Sequence, residues 1–213
     1  MSEFKVNTIT NRDGSYGPQV CGITTFGSSG MQLPSGPTEF RGGRGRGVFF
    51  GGDPADPGNM TSVDIATKGD GSDFGNLANN LSNCKGCSSS TRGLIMGGGT
   101  PSIQSGIQAV TISSTGGVFD FGDLTEARND TQAVANNVRG ISAGGNNPSK
   151  VNTIQYVTIS TLGNAADFGD LVNDVRSQIS GSSNAVRACT YGGHNGSTRV
   201  DHIEFVTIAT LGD

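Results

Sequence analysis

A period of about 47 residues limits what this chain can fold into more than any other feature. Arg46-Gly-Val-Phe-Phe-Gly-Gly52 returns as Arg92-Gly-Leu-Ile-Met-Gly-Gly98, as Arg139-Gly-Ile-Ser-Ala-Gly-Gly145 and as Arg187-Ala-Cys-Thr-Tyr-Gly-Gly193. The four arginines are 46, 47 and 48 residues apart. A second block follows each one: MTSVDIAT at 60–67, IQAVTISS at 107–114, IQYVTIST at 154–161 and IEFVTIAT at 203–210. A third block is Asp-Phe-Gly, with Asp73, Asp120 and Asp167 preceding Phe74, Phe121 and Phe168 at 47-residue intervals. Three landmarks in one register exclude coincidence. A repeat of this length is one supersecondary unit that cannot bury its apolar surface alone, so its copies must stack.

Each unit reads as short strands. The first ends in a diglycine (Gly51 and Gly52, Gly97 and Gly98, Gly144 and Gly145, Gly192 and Gly193), where a turn with positive φ is expected. A polar loop follows (GDPADPGN, GTPSIQSG, GNNPSKVN, GHNGSTRVD), and then a strand with apolar residues on both faces. In the third unit, Val157 and Ile159 face one way while Ile154 and Tyr156 face the other. A strand of that kind belongs in a sheet covered on both sides. With 35 glycines, no Trp and only 15% charged residues, the expected class is all-β, three or four short antiparallel strands per unit. The units run at about 43–91, 92–138, 139–186 and 187–213, the last ending before its Asp-Phe-Gly.

A strand closing on Gly-Gly, a loop, a strand carrying an aromatic (Tyr156, Phe205) and a later aromatic anchor resemble the kelch repeat of β-propellers. In kelch blades the anchor is Trp; Phe74, Phe121 and Phe168 stand in its place, and Arg128 and Arg176 sit where kelch repeats often carry an Arg. The resemblance implies a kelch-like β-propeller, or a propeller-like array, of about four blades over 43–213. The pattern RGxxxGG…IxYVTIxTxGNAxDFGDL, behind a leader reading VNTITNRDGSYGPQVCGITTFGSSGMQLPSG, also resembles virion structural proteins of marine tailed phages, cyanophage tail or tail-fibre-like proteins among them. That implies a place in the virion of a phage assembled in a bacterial host, a cyanobacterium. It also implies contact with other virion proteins, a homo-oligomer, and a host-surface glycan or receptor as a further partner. A cellular kelch-type adaptor is the reading without a virion.

Residues 1–42 differ in texture. Asn11-Arg12-Asp13-Gly14 is a hairpin turn signal, and the Gly/Ser-rich stretch behind it has little core of its own. An extended anchoring arm that docks by strand addition is expected. Lys5–Ile9 repeats the sequence of Lys150–Ile154, so a strand from this segment could close the ring. A longer chain or a neighbouring subunit could equally complete the fourth unit.

Other motifs compete less well. Asp-Phe-Gly is the magnesium-binding triplet of protein kinases, but no lysine strand or catalytic loop accompanies it. The recurring aspartates therefore read as turn caps, without the oxygen spacing calcium needs. Cys84 and Cys87 have metal-knuckle spacing but lack two further ligands nearby, so free thiols or a local disulfide compete with zinc. Arg41, Arg44 and Arg46 form a short Arg-Gly tract without aromatics, expected to be a linker with a patch for a partner protein rather than for nucleic acid. His194 and His202 have no nucleophile grouped with them. A net charge of −4 argues against a nucleic-acid partner. No apolar run is long enough to span a membrane as a helix. No cofactor and no enzymatic activity are expected.

Overall fold

A computed structural model describes residues 24–25, 31–32, 45–52, 58–65, 67, 69–99, 101–172 and 177–210. The chain divides into two units, Met1–Arg41 and Gly42–Asp213. In the first, strands β1 (Thr24–Thr25) and β2 (Met31–Gln32) pair antiparallel. The expected arm otherwise lies outside the described residues, as do its hairpin signal and the Lys5–Ile9 segment.

The second unit is all-β among its described residues, built as a propeller-like array of four antiparallel sheets of three or four strands. The first sheet holds β3 (Arg46–Phe50), β4 (Asn59–Asp64) and β5 (Ser72–Asn76). The second holds β6 (Lys85–Ser88), β7 (Arg92–Met96), β8 (Gly106–Thr111) and β9 (Phe119–Asp123). The third runs β10 (Gln132–Ala135), β11 (Arg139–Ala143), β14 (Thr153–Thr158) and β15 (Ala166–Asp170). Two two-residue strands, β12 (Asn146–Asn147) and β13 (Ser149–Lys150), form a small hairpin in its loop. The fourth sheet holds β16 (Ser180–Ser183), β17 (Arg187–Tyr191) and β18 (Ile203–Thr207). From the second sheet on, each begins one strand before its arginine, so the sheets are offset from the sequence period.

Local chemistry explains the turns. Before β11 the Asn136 carboxamide accepts from the N–H groups of Val138 (2.8 Å) and Arg139 (2.7 Å). Asn184 does the same for Val186 and Arg187, and Ser89 for Thr91 and Arg92. These are side-chain-closed turns of the Asx and Ser type. The diglycines adopt the positive φ expected of them, +58° and +103° at Gly97 and Gly98, for example.

Asp-Phe-Gly proves to be a strand rather than a turn. In β5, β9 and β15 the register slips at the phenylalanine: Thr61 faces Asp73 and Met60 faces Gly75, leaving Phe74 as the extra residue. Phe121 and Phe168 are extra in the same way. A bulge of this kind bends the strand and re-aims one side chain, here driving each phenylalanine into the core. Of the three aspartates, Asp73 closes a local turn by accepting from the Gly75 N–H at 3.2 Å. Asp120 and Asp167 make no side-chain hydrogen bond among the described residues and lie exposed. The capping role expected of the triplet thus holds at Asp73 and is corrected at Asp120 and Asp167, whose carboxylates face solvent.

The core lies between sheets, one cluster per junction. Met60, Phe74 and Leu77 meet Ile95 and Val110 of the next sheet. Leu94, Met96, Ile107 and Phe121 meet Val157 and Ile159. Ile141, Ile154 and Phe168 meet Ala188 and Ile208. The expected two-faced strand is realised in β14, whose Val157 packs backward and whose Ile154 packs forward. Each such buried aliphatic side chain contributes about 1.5–3 kcal/mol.

The glycine of the triplet permits this closeness. Gly122 has φ +145°, and a Cβ there would run into the backbone carbonyl of Gly163 in the next sheet; Gly75 meets Gly116 in the same manner. Gly122→Ala is expected to cost about 2 kcal/mol, a fall in Tm of roughly 5 °C. Gly106→Ala, which opens onto empty space, is expected to stay within about 0.5 kcal/mol of wild type. Thermal melts of the two variants check both.

Candidate interaction face and the junctions that carry it

Four kinds of polar contact recur between consecutive sheets, each crossing all three junctions or two of the three. The repeat arginine reaches forward to a carbonyl at the end of the next sheet's central strand: Arg46 Nη1 to Ile112 O (3.1 Å), Arg92 Nη1 to Ile159 O (2.5 Å) and Arg139 Nη1 to Ile208 O (2.7 Å). Each guanidinium also lies over an aromatic ring of its own sheet: Phe74, Phe119, Tyr156 and, for Arg187, Phe205. In the reverse direction, Gln108 Oε1 accepts from Ala78 N–H (2.9 Å), Gln155 Oε1 from Thr125 N–H (2.8 Å) and Glu204 Oε2 from Val172 N–H (3.2 Å). The Asp-Phe-Gly strand accepts from the following sheet's turn, Gly116 N–H to Phe74 O (2.7 Å) and Gly163 N–H to Phe121 O (2.9 Å). Finally, Asp130 N–H bonds Asn83 O and Gln178 N–H bonds Asp130 O, a backbone ladder through one left-handed residue per repeat.

Arg46, expected on a partner-facing patch with Arg41 and Arg44, thus has a structural use within the array. Arg41 and Arg44 lie outside the described residues. The junction glutamines were missed by sequence reasoning, although a polar residue directly after Ile107, Ile154 and Ile203 is a readable signal. The left-handed Asn83, Asp130 and Gln178 were hidden in stretches with no shared sequence.

Arg128, placed by the kelch resemblance just after the aromatic anchor, is the largest fully buried side chain among the described residues. Its Nη1 donates to Gly144 O (3.1 Å) and Thr153 O (3.2 Å), and its Nη2 to Thr153 Oγ1 (2.8 Å), with Glu126 at 3.6 Å. It therefore ties the linker behind the second sheet to the diglycine turn of the third. Burial pulls its pKa down, opposed by the Glu126 charge. Arg176 lies outside the described residues.

The diglycine end of the array presents loops on identical bases. The second glycine's carbonyl accepts from the far side of each loop, Gly98 O from Gln104 N–H (2.8 Å), Gly145 O from Val151 N–H (3.1 Å) and Gly193 O from Val200 N–H (3.1 Å). The first glycine's N–H bonds to Gly106, Thr153 or His202. Above this common base the tips differ, carrying Pro101 and Ser102, then Asn147 and Lys150, then Asn195, Ser197 and Arg199. The tips are ordered from within: Asn195 Oδ1 accepts from Ser197 and Thr198 N–H at 3.0 Å, and His194 Nδ1 from Gly196 N–H at 3.0 Å. Lys150 lies beside Gly196, so the third and fourth loops adjoin. His202 sits at the base of its loop. The array places Gly51 and Gly52 at the same position in the first sheet, with residues 53–57 outside the described residues.

Cys84 and Cys87 do not converge. Three positions apart at β6, they face opposite sides of the strand, Cys84 packing in the first junction and Cys87 in the second. Both are free thiols. No group of three or more His, Cys, Asp or Glu with metal-site geometry occurs among the described residues.

The chain matches no protein-family model, and no curated protein matches it.

Two outcomes follow from the buried Arg128 and the half-buried Cys87. Arg128→Ala removes the guanidinium donor from Gly144 O and one of the two donors to Thr153 O, opens a cavity, and is expected to cost about 3 kcal/mol, read as a lowered urea midpoint. Burial pushes the Cys87 thiol from 9.0 up to about 12. Because the folded value lies above the unfolded one, its contribution to stability is complete below pH 9 and is lost as pH rises towards 12. Urea melts of wild type and Cys87→Ala are expected to converge across that window; a constant difference between them would contradict the assignment.

Proposed function

We propose that the chain is a structural component of a phage virion, a tail, tail-fibre or particle-surface protein. Residues 1–42 anchor it to other virion proteins, and the kelch-like array at 43–213 is displayed. The observation that carries this reading is the tandem pattern RGxxxGG…IxYVTIxTxGNAxDFGDL behind its leader, on which the resemblance to marine phage proteins rests. The array supports it physically. Its recurrent chemistry is spent on joining sheets, which suits a scaffold. The site of action on this reading is the virion, assembled in the cytoplasm of a bacterial host, a cyanobacterium.

A second reading, that the array is a glycan- or receptor-binding module, is favoured by the loop tips. Amides and hydroxyls on Asn147, Asn195, Ser197 and Thr198 vary above a fixed base, the arrangement expected of a rigid scaffold carrying recognition loops. The two readings join in a host-attachment appendage.

Mass spectrometry of density-purified particles is expected to find the chain in every particle, and a reporter fused to residues 1–42 to co-purify with them. Particles without the chain would overturn the virion reading. Glycan-array binding by the intact chain that is lost in Asn195→Ala/Thr198→Ala would support the second reading, and absence of any binding would count against it.

A further inference from the structure

Each internal junction is made from two halves, and the array leaves one of each exposed. The backward-facing half in the second, third and fourth sheets centres on Ile112, Ile159 and Ile208, which are 8%, 1% and 0% exposed; the equivalent Ile65 of the first sheet is 71% exposed. Phe49, equivalent to the buried Ile95, is exposed beside it. The forward-facing half centres on Met60, Ile107 and Ile154, all buried; the equivalent Ile203 is 76% exposed, along with Phe205 and Tyr191. Arg187 completes the match. It holds the position from which Arg46, Arg92 and Arg139 donate to Ile112, Ile159 and Ile208, and its guanidinium lies 4.7 Å over Phe205. Among the described residues it makes no hydrogen bond to a following sheet.

We propose that the first sheet of one molecule docks through Ile65 and Phe49 onto the Arg187, Tyr191, Ile203 and Phe205 face of the fourth sheet of a second copy. This reproduces the internal junction between chains. The chemistry of the occupant is set by the three junctions already present: an apolar backward face presenting a strand-end carbonyl, here that of Ile65, to the waiting guanidinium. The chain's own fourth sheet does not fill this role, because no hydrogen bond joins it to the first among the described residues and both halves stand open. The contact is head-to-tail, so repetition gives a ring if the rotation closes and a filament if it does not. This interface stands apart from the virion reading and does not rest on it.

Sedimentation velocity of the full chain at rising concentration tests it. Wild type is expected to populate species above the monomer, whereas Ile65→Asp and Ile203→Asp are each expected to remain monomeric with unaltered circular dichroism and melting. An equimolar mixture of the two variants retains one good half on each partner and is expected to give a species of twice the monomer mass and no larger. A wild type that is monomeric throughout, as closure within the chain or capping by residues 1–41 would produce, overturns the proposal. So does a mixture that stays monomeric, or a single variant that assembles like wild type.

Discussion

Everything in the array depends on the contact between consecutive sheets. A three- or four-stranded sheet of strands four to six residues long has two apolar faces and no interior, so its stability comes from its neighbours. The forward half of one core is completed by the backward half of the next, and the arginine and glutamine contacts hold the halves in register. An arginine suits this position because its flat cation can lie on an aromatic ring while its edge donates to a buried carbonyl that would otherwise lack a partner. The Asp-Phe-Gly bulge suits it because the extra residue bends the edge strand and re-aims the phenylalanine into the junction.

This organisation separates load from display. The residues that recur are those that cross junctions or close turns, and the residues that vary sit at loop tips above bases of identical hydrogen bonding. A tip can change without altering what the junction needs, because its backbone is already satisfied at the diglycine and within the tip itself. That separation suits both proposed roles, a particle component that must be robust and a surface that must meet different partners. It also explains why the cysteines need no shared purpose: each fills a gap in a different core.

An array made this way has two unlike outer faces, one on its first described sheet and one on its fourth. Internal halves are covered, and the terminal ones expose Ile65 at one end and Ile203 at the other. Solvent-exposed isoleucine and phenylalanine gathered beside an arginine that stacks on its own sheet and, among the described residues, donates to no following one is a surface of the kind that associates.

The strand-rich class, the period, the positive φ of the diglycines and the two-faced character of β14 were all legible in the sequence, because each depends on residue type and local alternation. The burial of Phe74, Phe121 and Phe168 was legible too, though for an incomplete reason: periodicity marked them as anchors but could not show that they enter the core through a bulge. The destinations of Arg46, Arg92 and Arg139 were not legible, because their acceptors are carbonyls, which every residue carries. Nor was the offset of sheets from repeats, or the ladder through Asn83, Asp130 and Gln178, since backbone bonding leaves little mark on composition. The sequence alone determined that identical units must stack. Only the tertiary structure decided which atoms meet when they do, because that choice is made by distance and direction between segments almost 70 residues apart.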